Sequence, residues 1–313
     1  MKRASLAIIV LAAVCSAWPV RAVPETPASA VIDAPQLLKD LQTLSSNDME
    51  GRQVDTPGGA KARAFVIERF RQSGITAFGT SYEQPFSLTD GMPERRGVNV
   101  IGRIEGARRP DRYIVLTAHY DHIGVRNGRV YPGADDNASG TAALFAIGKH
   151  FASKRPEHSL IIAAFDAEES GLRGSKAFLR QPPVNTAAMA VNLNADMIGR
   201  DAKNTLYVSG VFSQPFLKPF VQRIIAAAPV NLVMGHDDPG QKGVADWTRD
   251  SDHYSFIQAK IPALYFGVED FDRIHQPTDT FETITQEFYV HSVETLIIAI
   301  RDFDANLDSL PRR

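Results

Sequence analysis

The sequence predicts an α/β fold, a three-layer sandwich in which a mixed, mostly parallel central sheet carries helices on both faces. Three observations predict it. Short, nearly continuous apolar runs occur at 113–118, 160–165, 189–193 and 261–266, as suits strands buried on both faces. Helical patterns fall between and after them, at 141–153, 215–228 and 286–304, and such alternation builds a sheet covered by helices. The composition, 44% hydrophobic and 22% charged over 313 residues, is enough for one large core.

The first residues stand apart. Lys2 and Arg3 precede an apolar run from Leu6 to Val14, and small residues and Pro19 follow. That is the layout of a secretory signal peptide, too short to span a bilayer. Cleavage is expected near Ala22, with Ala17 the competing site, so residues 1–22 are read as signal. Ala12-Ala13-Val14 before Cys15 makes a poor lipid-attachment sequence. Cys15 is the single cysteine and leaves with the signal. The mature chain then offers no disulfide and no thiolate ligand, only His and carboxylates. A periplasmic or secreted protein is expected. The formal charge of −2, without a basic concentration, argues against nucleic acid or an anionic membrane as partner.

Residues 23–34, rich in Pro and Ala, read as a flexible leader, and 35–313 as one domain, since no linker, repeat or coiled coil interrupts them. A short helix is expected over 36–44 and a polar loop over 45–52. A longer helix is expected over 57–72, where Ala60, Ala64, Ile67 and Phe70 follow the helical period, Pro57 suits the start and Gly74 the stop. Residues 82–88 and 97–104 read as strands.

The polar residues gather where the apolar runs end. The 113–118 run delivers His119 and Asp121, the 160–165 run Asp166, Glu168 and Glu169, and the 189–193 run Asp196. The 261–266 run leads through a loop to His275. Asp135 and Asp136 lie in the small-residue turn Pro132-Gly133-Ala134-Asp135-Asp136-Asn137-Ala138-Ser139-Gly140. In open α/β sheets ligands bind at the carboxyl ends of the strands. Carboxylates gathered there repel one another unless cations lie between them. Mixed nitrogen and oxygen donors suit zinc, and suit calcium poorly. Two His and three carboxylates exceed the three protein ligands of one catalytic zinc and divide into two sites with a shared carboxylate. Residues two apart on a strand share a side, so Asp121 is placed to accept the second ring proton of His119. By the same alternation His122 is expected to point away. His150, His158 and His291 are expected in solvent, and His236 in a surface turn.

His119-Tyr120-Asp121, the 132–140 turn, Glu168-Glu169-Ser170-Gly171-Leu172-Arg173-Gly174-Ser175, Asn194-Ala195-Asp196-Met197 and Ile274-His275 occur in that order, with Met49-Glu50-Gly51-Arg52 before them and Ser251-Asp252-His253 before the last. Together they resemble the secreted bacterial dizinc aminopeptidase family of zinc exopeptidases, whose relatives include glutamate-carboxypeptidase-like enzymes and glutaminyl cyclases. The resemblance implies the zinc exopeptidase fold and two Zn2+ per chain. It makes His119 and Asp196 the ligands of one zinc, Glu169 and His275 those of the other, and Asp136 the bridge, with a cis peptide at Asp136-Asn137. Glu168 becomes the general base and Asp121 the orienter of His119. The implied substrate is a peptide with a free N-terminus. Some family members carry a tyrosine shortly before Ser-Asp-His. Trp247, Thr248 and Arg249 stand there instead, with Arg249 as candidate oxyanion donor. Tyr254, Phe256, Phe266 and Phe271 are candidates for an apolar pocket. Rival readings are a glutaminyl cyclase, a dipeptidase or carboxypeptidase-type specificity, and a binding domain without chemistry.

Overall fold

The computed structural model of the protein describes residues 27–88 and 95–311. The expected signal peptide and the start of the leader lie outside the described residues. From residue 29 onward the leader does not hang free. The Ser29 hydroxyl donates to Glu294 at 2.6 Å, and Val31 and Ile32 pack against the core.

Helices α1 (Ala34–Leu44) and α2 (Pro57–Gln72) precede strands β1 (Glu83–Ser87), β2 (Arg96–Ile104) and β3 (Arg109–His119), then the small hairpin β4 (Val125–Arg126) and β5 (Arg129–Val130). Then come α3 (Gly140–Ser153), β6 (His158–Phe165), α4 (Arg173–Arg180), β7 (Met189–Ala195), β8 (Thr205–Ser209), α5 (Lys218–Ala227), β9 (Asn231–Met234), α6 (His253–Gln258), β10 (Ala263–Gly267) and α7 (Gln286–Asn306). Local chemistry fixes several ends. Thr56 caps α2 by accepting from the Gly59 N–H at 3.2 Å, with Pro57 at the first helical position. Asp33 caps α1 in the same way.

Eight strands form one sheet in the order β1-β2-β6-β3-β7-β10-β8-β9. The centre, β6-β3-β7-β10, is parallel, while the β1-β2, β2-β6 and β10-β8 pairs are antiparallel. Alternation along β3 sorts the core into two layers. Ile114, Leu116 and Ala118 face the cluster built with α1, α2, α3, α5 and α7. Tyr113 and Val115 face a smaller cluster containing Phe178 of α4 and Phe256 of α6. The three layers expected from the sequence are therefore present. The strands β8 and β9 and the helices α4 and α6 were not expected. All four are short, and none carries a run long enough to show a period.

Register then positions chemistry. His119 pairs with Phe165, Thr117 with Asn194, and Tyr265 with Asn194. Strands β3, β6, β7 and β10 thus end level with one another, and the segments that follow them start from one edge of the sheet.

Candidate metal centre

Five chain segments meet at that edge. His119 is the last residue of β3. Asp136 lies in the turn before α3, whose Asp136-Asn137 peptide is cis, as the resemblance implies. Glu168 and Glu169 follow β6, Asp196 follows β7, and His275 sits in the loop from β10 to α7.

The side chains form two groups around one carboxylate. His119 Nε2 lies 3.2 Å from Asp196 Oδ1 and 3.4 Å from Asp136 Oδ1. His275 Nε2 lies 3.2 Å from the other oxygen, Asp136 Oδ2, and 3.0 Å from Glu169 Oε2. His122 joins the second group, its Nδ1 2.8 Å from Glu169 Oε1 and 3.7 Å from Asp136 Oδ2. All five expected ligands come together, and His122, expected to point away, comes with them. The alternation rule failed there because β3 ends at His119, so residues 120–122 no longer follow the pleat.

Buried main-chain contacts hold the segments. The Asp279 carboxylate accepts the N–H of Asp135 at 3.0 Å and that of Asp136 at 3.1 Å, and is itself paired with Arg200. Arg200 also pairs with Asp270, tying the loop that carries His275 to the turn that carries Asp136. Asn137 donates to Ala195 O at 3.0 Å, and Thr141 to His119 O at 2.7 Å. Arg52, wholly buried, donates to the carbonyls of Tyr120, Leu44 and Gly133 at 2.8 Å and of Pro132 at 2.5 Å. Gly133 is in the left-handed region at φ +56°, where a Cβ would stand 2.1 Å from Asp136 O.

Asp121 meets the His119 ring with both its main chain and its carboxylate. The His119 Nδ1 hydrogen bond goes to the main-chain oxygen of Asp121 at 3.1 Å. The Asp121 carboxylate lies 3.6 Å from that nitrogen and accepts the Glu168 N–H at 3.0 Å.

The electrostatics are those of acids and imidazoles packed together. Burial, then the charges of Asp252, Asp196 and Asp121, push Glu168 well above the usual carboxylate range, with His119 opposing. Burial also acts to raise Asp136, but His122, His119 and His275 outweigh it and hold it well below. For Glu169, burial and the Asp136 charge raise, while His122 and His275 prevail and lower it. Hydrogen bonds donated to the Asp136 and Glu169 carboxylates, against burial, raise His275 to about 10. His119 also goes well up, because the carboxylates Asp196 and Glu168 overcome its burial. Protons on the imidazoles thus do what a cation would do.

The donor set fits zinc. Imidazole nitrogens and carboxylate oxygens converge in two clusters, His119-Asp136-Asp196 and His122-Asp136-Glu169, whose ligand atoms lie within 4.8 Å of one another. Buried polar atoms there, Glu169 Oε1 and both ring nitrogens of His122, make no hydrogen bond. A metal would supply the missing partner.

The centre opens on a cavity of about 360 Å³. Its lining includes the acids Glu168, Asp196 and Asp250 and the apolar residues Leu172, Met197, Val268, Phe271 and Ile274. Of the expected pocket aromatics only Phe271 lines it. Phe256 and Phe266 are fully buried core residues, and Tyr254 lies under the Arg249 guanidinium at 5.6 Å. Trp247 and Tyr265 line the cavity instead. Arg249 does line it, as expected. His236 is buried and stacked on Trp247 at 3.5 Å between ring centres, not in a surface turn. His150 and His158 are buried too, bonded to Val31 O and to Asp304. Asp135 and Asp166 are structural, accepting the N–H groups of Gly199 and of Val98 and Ala167.

Comparison with known proteins follows from this geometry. The description "Peptidase family M28" matches residues 99–300. The chain is 27% identical over 275 residues to a probable zinc metalloprotease of Pyrenophora tritici-repentis, covering 76% of this chain and 55% of that protein. It is 30% identical over 201 residues to the mouse aminopeptidase NAALADL1, covering 60% of this chain and 24% of that one. The chain spans about half the length, or less, of the curated relatives it matches. Among solved structures, the glutaminyl cyclase of Porphyromonas gingivalis superposes with TM-score 0.71 at 20% identity, covering 86% of this chain and 98% of that one. A zinc aminopeptidase from Bacillus subtilis superposes with TM-score 0.68 at 17% identity, covering 90% and 96%. At such identities these structures establish the fold alone.

Proposed function

The chain belongs to peptidase family M28, a family of zinc metallopeptidases, and from that premise we propose that it is an exported aminopeptidase working with two zinc ions. His119 and Asp196 would hold one, Glu169 and His275 the other, with Asp136 between them. The observation that carries the reading is the division of Asp136, whose Oδ1 faces His119 and whose Oδ2 faces His275. One carboxylate serving two imidazoles on separate oxygens is what a bridged pair of cations needs.

Bound zinc would polarise the scissile carbonyl and bring the pKa of a bound water toward neutrality. The chain does the rest. Glu168 lines the cavity beside the ligands without belonging to either group. It takes the proton of water as the oxygen bonds to the carbonyl carbon. It returns that proton to the amine nitrogen as the C–N bond breaks. Asp250, exposed on the cavity wall, adds negative charge where an α-ammonium group would enter. The apolar lining favours an apolar first side chain. A volume near 360 Å³ lies at the small end of ligand pockets, which suits a residue or two at a chain end. Export is supported by the amino-terminal charge and apolar pattern, and would put the enzyme in the periplasm or outside the cell.

The test is a panel of amino-acid p-nitroanilides and peptides, free and N-acetylated, with metal content measured in parallel. Fast cleavage of free but not acetylated substrates is expected. Equal rates on both would remove the aminopeptidase reading. A peptide beginning with glutamine separates the chief rival. Release of glutamine supports the peptidase, whereas loss of ammonia with ring closure moves the assignment to a glutaminyl cyclase.

A further inference from the structure

We propose that His122 is a direct ligand of the second metal, which it would hold together with Glu169, His275 and one oxygen of Asp136. The proposal rests on the two-metal reading and adds a nitrogen donor to one side of it. The first group has three protein donors, and the second would have four.

The geometry is specific. His122 is 1% exposed, and neither of its ring nitrogens makes a hydrogen bond among the described residues. Its Nδ1 stands only 2.8 Å from Glu169 Oε1, yet that oxygen too lacks a hydrogen bond. At such a distance a hydrogen bond fails only when donor and lone pair point off the line joining them. Two donor atoms that are close, buried and misaligned for each other suit a third body that both address.

The neighbouring distances suit the same body. Ligand atoms around a tetrahedral zinc, with bonds of about 2.0–2.1 Å, stand about 3.3 Å apart. The contacts around the second group are 2.8, 3.0, 3.2 and 3.7 Å, which bracket that value. A single oxygen, Asp136 Oδ2, lies 3.2 Å from His275 Nε2 and 3.7 Å from His122 Nδ1, so both imidazoles address the same point. Their ring centres are 5.8 Å apart and their planes are inclined by 55°. A buried imidazole whose nitrogens make no hydrogen bond costs stability, and coordination would remove that cost.

A second cavity, of about 220 Å³, is lined by His122, Glu169 and His275 with Gln53 and Arg126, and it shares Glu169 and His275 with the cavity that contains Glu168 and His119.

The test uses the purified enzyme, stripped of metal with a chelator and titrated with Co2+ followed by its visible absorption. The wild-type chain is expected to take two ions. His122→Ala is expected to keep one site and to lose more than about a hundredfold at the other, beyond what removal of a group one shell further out costs. His122→Cys is expected to restore binding with a thiolate-to-cobalt band in the near ultraviolet. Melting curves of the stripped proteins check that the variants fold. Two ions bound by His122→Ala at wild-type affinity, or His122→Cys without the thiolate band, would overturn the proposal and leave the two-metal reading in place. A wild-type chain that binds no second ion removes both.

Discussion

The Asp121 carboxylate accepts the main-chain N–H of Glu168 at 3.0 Å, so the strand end that carries His119 is fastened to the turn that carries the proposed base. Asp121→Ala removes this acceptor and the carboxylate 3.6 Å from His119 Nδ1. The ring keeps its bond to the Asp121 carbonyl, which the substitution does not touch. The expected result is a fall in kcat of about ten- to a hundredfold, the usual cost of losing such a support. KM should change little, and both metals should remain at saturating zinc. Asp121→Asn, which still offers an oxygen to the Glu168 N–H, should lose less. Steady-state kinetics beside metal analysis checks the order.

Glu168→Gln isolates the base. The substitution conserves shape and leaves both ligand groups intact. Turnover should fall by about 10² to 10⁴, the range for a positioned general base, with two zinc ions still bound. An inactive variant that has also lost zinc would mean that Glu168 is a ligand.

Much of this was readable in the chain. Buried strands announce themselves as apolar runs, and the acids and His119 follow those runs directly, so their convergence was visible before any coordinates. His122 was misread because strand alternation was carried past the end of β3 at His119. Phe256 was misread because nearness in sequence to Asp252 and His253 is not nearness in space: α6 turns that ring into the layer with Phe165 and Phe178. Arg52 was legible only as part of the Met49-Glu50-Gly51-Arg52 segment of the resemblance, and its role was not. An arginine in a polar loop looks solvated, and only the fold brings five carbonyls around it, those of Leu44, Tyr120, Pro132, Gly133 and Asp136.

Arg52 is the basis of a stability prediction. Burial lowers its pKa to about 10, with Asp136 and Asp279 opposing, so it remains a cation at neutral pH. Arg52→Ala strands the carbonyls of Leu44, Tyr120, Pro132 and Gly133 in the interior. At about 1–3 kcal/mol for an unsatisfied buried group, a loss of at least ~3 kcal/mol is expected, and a Tm lower by several degrees. Arg52→Lys should recover only part, since one ammonium cannot reach carbonyls arranged around a planar fork. Thermal melts of the two variants decide it.

Asp279 should govern the bridge without touching metal. Its carboxylate accepts the N–H groups of Asp135 and Asp136 and pairs with Arg200. Asp279→Ala frees the turn on which Asp136 divides its oxygens. Zinc affinity should fall by about 10- to 100-fold, as for other supports of ligands, and at both sites together. Loss confined to one site would show that the turn keeps its shape without Asp279.

Metal binding should expel protons, and the sign follows from the shifts. In the metal-free protein His275 has its pKa raised to about 10 by Asp136 and Glu169, and His119 is raised as well. His275 is therefore protonated at pH 7 and the surroundings of His119 favour its proton, whereas ligation requires neutral imidazole. Zinc affinity should rise about tenfold per pH unit for each proton released. Titration calorimetry in buffers of different ionisation enthalpy counts those protons. The same shifts set the stability of the metal-free chain. Raised imidazoles contribute stability that is complete below their unfolded pKa, near 6.5, and that fades as pH climbs toward 10. Depressed carboxyls, Asp136 and Glu169, contribute above their unfolded pKa, near 4, and are lost in acid. The contribution of these groups to metal-free stability should therefore peak between about pH 4.5 and 6.5. The zinc-loaded protein, its imidazoles neutral and its carboxylates bound, should hold its Tm well above pH 7. Parallel melting curves, with and without zinc from pH 4 to 10, test both statements, and equal profiles for the two forms would mean that protons and metal do not compete for these side chains.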